Sequence, residues 1–158
     1  MNLKFTLAYD GSLFQGSQKQ PNGMTVEDKL LKAFKKINIE TNIVLSGRTD
    51  KEVHATGQVF NCVVPDFWQD FFKLKDILNK NLPSSIKILR IQKVKDDFHS
   101  RLQAKKRVYR YLITTKPTTP FNNKFITHIK NVDEELLQKA IKEFVGVYDF
   151  KYFHKTGS

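Results

Sequence analysis

The chain has 158 residues and a formal net charge of +11, and 40% of its residues are hydrophobic. A chain of this length holds one sizeable domain, or one domain and part of a second, and an apolar share this large argues against intrinsic disorder. The excess of positive charge favours an anionic partner, and for a soluble chain that partner is most often nucleic acid. A membrane-surface role is disfavoured because the lysines are scattered and not gathered on one face of an amphipathic helix.

Cysteine and histidine usage argues against a disulfide framework or a zinc site. The single cysteine, Cys62, lies among apolar residues, and His54, His99, His128 and His154 are spread too widely for zinc ligation. No N-terminal signal peptide is visible, and no apolar run reaches membrane-spanning length. We therefore expect a cytoplasmic protein with a buried thiol and no structural metal.

The first two predicted elements are a strand and a helix. Apolar and polar residues alternate from Leu3 to Tyr9, which is typical of a half-buried strand. Thr25 and Asp28 have the spacing of a capping box, and the apolar residues after them recur at helical intervals. These residues predict a helix whose apolar face lies in the core.

Two strands around a polar loop come next, followed by a second helix and a fourth strand. Residues 42–45 and 59–64 predict the strands, and Ile86 to Val94 predicts the last one. A helix is predicted to start at Pro65-Asp66 and to stop at Pro83, with an apolar side made of Trp68, Phe71, Phe72, Leu74 and Leu78. This order predicts an α+β, ferredoxin-like (βαββαβ) domain, a four-stranded antiparallel sheet with two helices on one face.

The polar loop between the second and third strands is the first candidate site. Arg48 and Asp50 are two residues apart, so an extended segment would place both side chains on one side, where the cation keeps the carboxylate ionised. Such an aspartate can act as a nucleophile. The alternative is structural, because Thr49 and Glu52 also have the spacing of a capping box on a short helical turn.

The remaining residues predict a second unit. Residues 104–113 predict a strand on which Arg107, Tyr109 and Tyr111 share one face. Such a face can bind the phosphate backbone and stack a base of RNA, or its tyrosines can pack in the core. Leu136, Leu137, Ala140, Ile141 and Phe144 form the stripe of a third helix, and Gly146 ends it. We expect a first domain at residues 1–100 and the beginning of a second, similar unit at residues 101–158, truncated or completed by a partner.

Several short blocks, in order along the chain, resemble the tRNA pseudouridine synthase A family. Each block alone is modest, but together they are specific and cover essentially the whole chain. The blocks are Tyr9-Asp10-Gly11-Ser12, Phe14-x-Gly16-x-Gln18-x-Gln20, Ser46-Gly47-Arg48-Thr49-Asp50, Val53-His54-Ala55, Gly57-Gln58-Val59, Asn81-Leu82-Pro83, Asp97-Phe98-His99-x-Arg101 and Arg107-Val108-Tyr109-Arg110-Tyr111.

The resemblance implies conversion of uridine to pseudouridine in the anticodon stem-loop of tRNA, at positions 38 to 40, with no redox or group-carrying cofactor. It implies that Asp50 is the nucleophile, that Arg48 pairs with it and helps to hold the flipped nucleotide open, and that Tyr109 stacks on the target base. Base flipping is physically required, because a stacked base cannot expose its glycosidic bond. The implied RNA-contacting residues are Arg101, Lys105, Lys106, Arg107, Arg110, His54, Gln58 and Tyr109.

The family also implies a homodimer, and members continue into a further domain half that supplies a basic active-site residue and apolar pocket walls, to which no residue of this chain is assigned.

Two departures from the family pattern stand out. Lys51-Glu52 replaces the usual Ala-Gly, so the loop loses a glycine and is expected to follow a different local path, and Ser17 replaces a common aromatic residue. The alternatives are a non-catalytic RNA-binding module and a structural protein that binds ribosomal RNA by charge.

Overall fold

The computed structural model describes residues 1–21 and 23–153, so His154 lies outside the described residues. The chain divides into two compact units, Met1–Tyr109 and Arg110–Ser158. The sequence places this boundary at residue 100, whereas the structure groups the following residues, up to Tyr109, with the first unit. Within the described ranges, no helix has the length and apolar character needed to cross a membrane.

The first unit alternates strands and helices around a single sheet. Neighbouring strands run antiparallel in the order β2-β3-β1-β4, so the predicted α+β class with a four-stranded antiparallel sheet is confirmed. The elements are β1 (Asn2–Tyr9), a 3-10 turn (Gly11–Leu13), α1 (Val26–Lys35), β2 (Val44–Leu45), β3 (Ala55–Val63), α2 (Phe71–Asn81) and β4 (Ile86–Lys93).

The core lies where the apolar faces of α1 and α2 meet alternate residues of the sheet. Phe5 and Phe60 are register partners on β1 and β3, and their rings stack with centroids 4.6 Å apart. Phe34 of α1 meets both rings edge-on, with centroids 5.6 and 6.4 Å away. All three side chains are fully buried, and burial of each contributes about 1.5–3 kcal/mol to stability.

The start of α1 follows the predicted capping box. The hydroxyl of Thr25 accepts a hydrogen bond from the Asp28 amide at 3.2 Å, and the Asp28 carboxylate accepts one from the Thr25 amide at 3.2 Å. These bonds satisfy amide groups that a helix start leaves without partners. They fix the first turn of α1, against which the loop from β1 rests.

The predicted start of α2 is wrong by about one turn of helix. The helix begins at Phe71, because the carboxylate of Asp70 caps it by accepting from the Lys73 amide at 2.9 Å. Trp68 packs against the core as expected, but Phe72 is 79% exposed and does not belong to the buried side. The predicted end before Pro83 is confirmed.

The second face of the sheet carries a buried polar contact that fixes the segment after β4. Asn61 on β3 is buried, and its amide donates to Asn2 Oδ1 at 3.1 Å and to the carbonyl of Phe98 at 3.2 Å. Its carbonyl oxygen accepts from the Ser100 amide at 2.9 Å. The Ser100 hydroxyl in turn donates to the carbonyl of Val44 on β2. The segment that leads to Arg101 is therefore held against the sheet.

The second unit contains two short parallel strands, β5 (Ile113–Thr114) and β6 (Thr127–His128), then α3 (Glu134–Lys142) and a 3-10 turn (Lys151–Phe153). The strand predicted over residues 104–113 is wrong, because in this described stretch the ladder begins only at Ile113. A strand pattern becomes a strand only where a neighbouring strand satisfies its backbone hydrogen bonds.

The third helix forms as predicted, but its apolar stripe is not buried. Asp133 caps the helix by accepting from the Leu136 amide at 2.9 Å. Leu136 is 63% exposed and Ile141 is 56% exposed, and α3 has no buried residue. The apolar stripe of α3 is therefore left uncovered by the described residues of this chain.

Candidate active site

The candidate site is the loop from Ser46 to His54, which connects β2 to β3. Its first residue is tied to the sheet, since the Ser46 amide donates to the carbonyl of Val59 at 2.8 Å. At the other end the chain enters β3 at Ala55. The prediction of a polar loop carried on two strand ends is confirmed, but the predicted bounds are wrong: β2 covers only Val44–Leu45, and β3 begins at Ala55, four residues before the predicted Val59.

Asp50 lies at the exposed part of this loop, at the first position of a four-residue turn. The Val53 amide donates to the carbonyl of Asp50 at 3.3 Å, and Glu52 adopts a positive φ of 67°. This residue has the backbone conformation that glycine prefers, so replacing glycine by glutamate does not prevent that conformation. The different local path expected from the missing glycine stays a prediction.

The helical-cap alternative for Thr49 is wrong. No helix forms at residues 49–53 of the described chain, and the Thr49 hydroxyl instead lies 2.8 Å from the hydroxyl of Tyr9. The backbone of Thr49 is held equally firmly. Its amide donates to Ser17 Oγ at 2.8 Å, and its carbonyl accepts from the Ser17 amide at 2.9 Å. The residue before Asp50 is thus fixed through side chain and backbone.

Two glycines in the loop after β1 allow the backbones to approach closely. A Cβ on Gly11 would lie 2.0 Å from the carbonyl oxygen of Val53, and one on Gly16 would lie 2.9 Å from that of Thr49. Gly16 also has a φ of 102°, which a residue with a side chain rarely adopts. One contact lies before Asp50, at Thr49, and the other lies after it, at Val53. The site therefore requires glycine at positions 11 and 16.

The expected ion pair between Arg48 and Asp50 is absent. Both side chains are exposed, and no ion pair within 4.0 Å joins them among the described residues. The spacing argument assumed an extended segment, but the chain turns at Asp50. Lys51 and Glu52 form an exposed ion pair of 3.3 Å at the tip of this turn.

His54 and Gln58, assigned to RNA contact by the resemblance, both hold backbone groups of the site. Nδ1 of His54 accepts from the Gly11 amide at 3.1 Å when the ring is neutral, and lies 3.1 Å from an Asp10 carboxylate oxygen, to which a ring protonated there donates. The Gln58 amide donates to the carbonyl of Gly47 at 2.9 Å. Their contact with RNA remains a prediction.

Five basic residues, Arg101, Lys105, Lys106, Arg107 and Arg110, form a basic tract of the sequence, and Arg107 contacts the entrance of the loop. Its Nη2 donates to the carbonyls of Ser46 at 2.7 Å and Arg101 at 3.2 Å, and its Nε donates to Ser46 at 3.2 Å. Gly47 leaves room for this side chain, since a Cβ there would lie 3.3 Å from Nε. Arg107 is therefore fastened to Ser46, at the entrance of the loop that carries Asp50.

The other predicted residues of the tract are exposed. Tyr109 is 64% exposed, and in the described part of the chain it makes no hydrogen bond or ring contact. Arg101, Lys105 and Lys106 are also exposed in the first unit, and Arg110 is exposed at the start of the second. These side chains are accessible to a ligand. Among the described residues, no group of three or more His, Cys, Asp or Glu side chains is placed to hold a metal ion.

Tyr9, Ser17 and Thr49 are the site residues that sequence reasoning did not identify. Tyr9 ends the alternation of β1 and begins one of the family blocks, neither of which gave it a role at the site; it is 5% exposed and its hydroxyl contacts that of Thr49. Ser17 appeared only as a departure from a family pattern. Their partners are 32 and 40 residues away in sequence, so no local pattern reveals the contacts.

Comparison with known proteins finds one family described as tRNA pseudouridine synthase, whose model matches residues 6–102. This range includes Arg48, Asp50, His54, Gln58 and Arg101. The chain is similar to proteins named tRNA pseudouridine synthase A, at 38% identity in Wolinella succinogenes, 40% in Helicobacter pylori and 36% in Streptococcus agalactiae. These alignments cover 96%, 98% and 98% of this chain, but the chain spans only 60–62% of the length of those relatives.

Proposed function

The chain belongs to the tRNA pseudouridine synthase family, and from that premise we propose that it forms the nucleophile-bearing part of an enzyme that converts uridine to pseudouridine in tRNA. The substrate region is the anticodon stem-loop. The reaction is an isomerisation, so it needs no redox cofactor. The observation that carries the proposal is the position of Asp50, an exposed carboxylate on a loop whose residues Thr49 and His54 are hydrogen-bonded to the end of β1 and to the loop that follows it.

Asp50 is the nucleophile in this proposal. It attacks the sugar carbon of the target nucleotide as the bond from that carbon to the base nitrogen breaks. The base turns and its ring carbon bonds to the sugar carbon as the carboxylate leaves, and the proton lost by that ring carbon is balanced by one gained at the freed nitrogen. A carboxylate suits this step because it both attacks and leaves at carbon. Its exposure is necessary, since the target is a macromolecule that must bring the nucleotide to it. The anchoring of Thr49 supports the proposal, because a reacting group must be held in a fixed geometry.

Arg48 and Tyr109 act on the flipped nucleotide. Arg48 is exposed two residues before Asp50 and makes no ion pair with it, so its guanidinium is available to occupy space that the extruded base vacates. The exposed ring of Tyr109 provides a flat surface for stacking and a hydroxyl for proton transfer.

The basic tract binds the phosphate backbone. Arg101, Lys105, Lys106 and Arg107 lie within seven residues of the first unit and are exposed. Arg110 is exposed in the second unit, and the chain as a whole carries a net charge of +11. Phosphate contacts of this kind position the RNA and do not read its sequence. The side chains of His54 and Gln58 bond to backbone groups of Gly11 and Gly47, and in this proposal they also contact the RNA.

The first unit is a ferredoxin-like domain in this proposal. Its order of strands and helices and the sheet order β2-β3-β1-β4 support that assignment. We further propose that the whole protein is a cytoplasmic homodimer, as the resemblance implies.

The proposal is tested by measuring pseudouridine in unmodified tRNA incubated with this chain, and with a chimera that joins this chain to the part of the Wolinella succinogenes relative that the alignment does not cover. Asp50→Asn should abolish product while leaving tRNA affinity unchanged or slightly raised. Asp76→Asn, which changes an exposed aspartate on α2, is the matched control and should leave product formation unchanged.

Product that survives Asp50→Asn would remove Asp50 from the role of nucleophile. Binding of tRNA with no product from either the chain or the chimera would favour the alternative, a non-catalytic RNA-binding module.

A further inference from the structure

Ser17 is a fully buried polar residue whose hydroxyl contacts the loop from Ser46 to His54, which carries Asp50. Its exposure is 0%, and its Oγ accepts a hydrogen bond from the Thr49 amide at 2.8 Å. The same hydroxyl lies 3.4 Å from the Thr49 carbonyl, which accepts a shorter bond of 2.9 Å from the Ser17 amide. A single residue therefore satisfies both backbone groups of the residue before Asp50.

Ser17 is itself held by a rigid element. Its carbonyl accepts from the Glu27 amide at 3.0 Å, and the carbonyl of Gly16 accepts from the Val26 amide at 3.2 Å. Both donors belong to the first turn of α1, which its capping box fixes and whose apolar face is buried. The bonds form a continuous connection from the core helix, through Ser17, to the residue beside Asp50.

We propose that Ser17 is a positioning residue for Asp50, and that its hydroxyl fixes the backbone from which the nucleophile projects. This inference rests on the proposed function. Ser17 does not touch the reacting atoms. It acts by restricting the backbone of Thr49, which precedes the nucleophile. This matters because a displacement of a catalytic group by about 1 Å can lower the reaction rate strongly.

The contribution of the hydroxyl is separable from that of the Ser17 backbone. Alanine at this position retains the bonds made by the amide and carbonyl groups of residue 17, but it removes the acceptor for the Thr49 amide. The other anchor of Thr49, the contact of its hydroxyl with Tyr9, remains. Ser17→Ala should therefore loosen the loop without unfolding it.

The test uses the form of the protein that makes pseudouridine, either this chain or the chimera. Three variants are compared with it in single-turnover rate at saturating enzyme, tRNA dissociation constant and melting temperature. Ser17→Ala removes the hydroxyl, and Ser17→Thr keeps it. Ser100→Ala is the matched control, because Ser100 is also buried, at 2% exposure, and its hydroxyl bonds to the backbone of Val44 and not to the loop.

A positioning role predicts that Ser17→Ala lowers the single-turnover rate about tenfold or more, as expected when a hydrogen bond worth about 1.4 kcal/mol is lost in the transition state. The tRNA dissociation constant should change by no more than about twofold, and Ser17→Thr should recover most of the rate. Ser100→Ala should keep the rate within about twofold of the starting protein.

A full rate in Ser17→Ala would overturn the inference while leaving the proposed function intact. An equal loss of rate in Ser100→Ala would also overturn it, because general destabilisation would then explain both. If the starting protein and the chimera bind tRNA but make no pseudouridine, the proposed function fails and the inference fails with it. Exchange of the Thr49 amide, measured by NMR, should accelerate in Ser17→Ala and not in Ser100→Ala, and unchanged exchange would contradict the assigned hydrogen bond.

Discussion

Gly11 and Val53 approach so closely that a Cβ on Gly11 would lie 2.0 Å from the Val53 carbonyl oxygen. This contact joins the turn after β1 to the end of the turn that carries Asp50. No neighbouring side chain is involved, so the contact cannot be relieved by a change of rotamer. The backbone on one side must move if Gly11 acquires a side chain.

We therefore expect Gly11→Ala to destabilise the first unit by about 1–3 kcal/mol, the usual cost of inserting a methyl group into a filled site. Urea unfolding followed by fluorescence measures the effect. Gly57→Ala is the matched control, because Gly57 lies in β3 and a methyl group added there would have no other atom within 4 Å, so its stability should change little. Equal loss in both variants would show that the Gly11 contact has no special importance.

Arg107 has contacts within the protein and a proposed role in RNA binding, and different substitutions can separate the two. Two of its nitrogens donate to the carbonyls of Ser46 and Arg101, while the side chain remains exposed to a ligand. Arg107→Ala should weaken tRNA binding and reduce its salt dependence by about one phosphate contact. Arg107→Lys keeps the charge and should keep the salt slope, but its ammonium cannot reproduce the planar fork and turnover should still fall.

Binding measured across a range of salt concentrations, beside single-turnover rates, checks both parts. Lys105→Ala is the control for a nearby exposed cation and should change the salt slope without lowering turnover. A salt slope that is unchanged in Arg107→Ala would mean that Arg107 acts only inside the protein.

The features that sequence predicted correctly are local ones. The alternation from Leu3 to Tyr9 and the capping box of Thr25 and Asp28 each depend on residues a few positions apart, and both appear in the structure. The loop around Asp50 was located for a similar reason, because apolar runs on both sides identify the strands that carry it.

The features that sequence did not predict depend on distant partners or on competition between signals. The start of α2 lies later than predicted, because Asp70 caps the helix while Asp66 is paired with the N-terminal amine. The strand expected over residues 104–113 lacks a neighbouring strand for most of its length in the described chain. The bond between Ser17 and Thr49 joins two loops that sequence alone cannot bring together.

Cys62 is predicted to be unreactive in the folded protein. It is also predicted to lower the free energy of unfolding as the pH becomes alkaline. Burial raises the pKa of its thiol from 9.0 to about 12, and a hydrogen bond with Thr41 offsets part of that increase. The folded state therefore keeps the neutral thiol, while the unfolded state ionises near its ordinary pKa. The resulting contribution to stability is fully present below about pH 9 and is lost as the pH rises from there towards about 12.

Urea unfolding of the chain and of Cys62→Ala, compared between about pH 7 and about pH 10, measures this effect. The difference in unfolding free energy between the two proteins should be constant at the lower pH values and should shift against the cysteine protein above about pH 9. Alkylation of Cys62 at mildly alkaline pH should require unfolding. Rapid alkylation of the folded chain would contradict the buried, neutral thiol.

Glu52 adopts a backbone conformation that is unfavourable for a glutamate, so replacing it by glycine should stabilise the folded chain. Its φ is 67°, and a left-handed conformation costs a residue with a side chain about 1–2 kcal/mol. Glycine removes that cost but loses about 0.5–1 kcal/mol through its greater freedom in the unfolded state. We expect Glu52→Gly to raise the free energy of unfolding by about 0.5 kcal/mol, measured by urea denaturation.

Two further variants isolate the cause of that gain. Lys51→Ala removes the exposed ion pair with Glu52 without changing the residue at the strained position, and it should cost less than about 1 kcal/mol. Asn38 also has a positive φ, of 57°, but asparagine tolerates this conformation, so Asn38→Gly should give a smaller gain or none. A larger gain at Asn38 than at Glu52 would show that backbone strain at Glu52 is not what limits the stability of the loop.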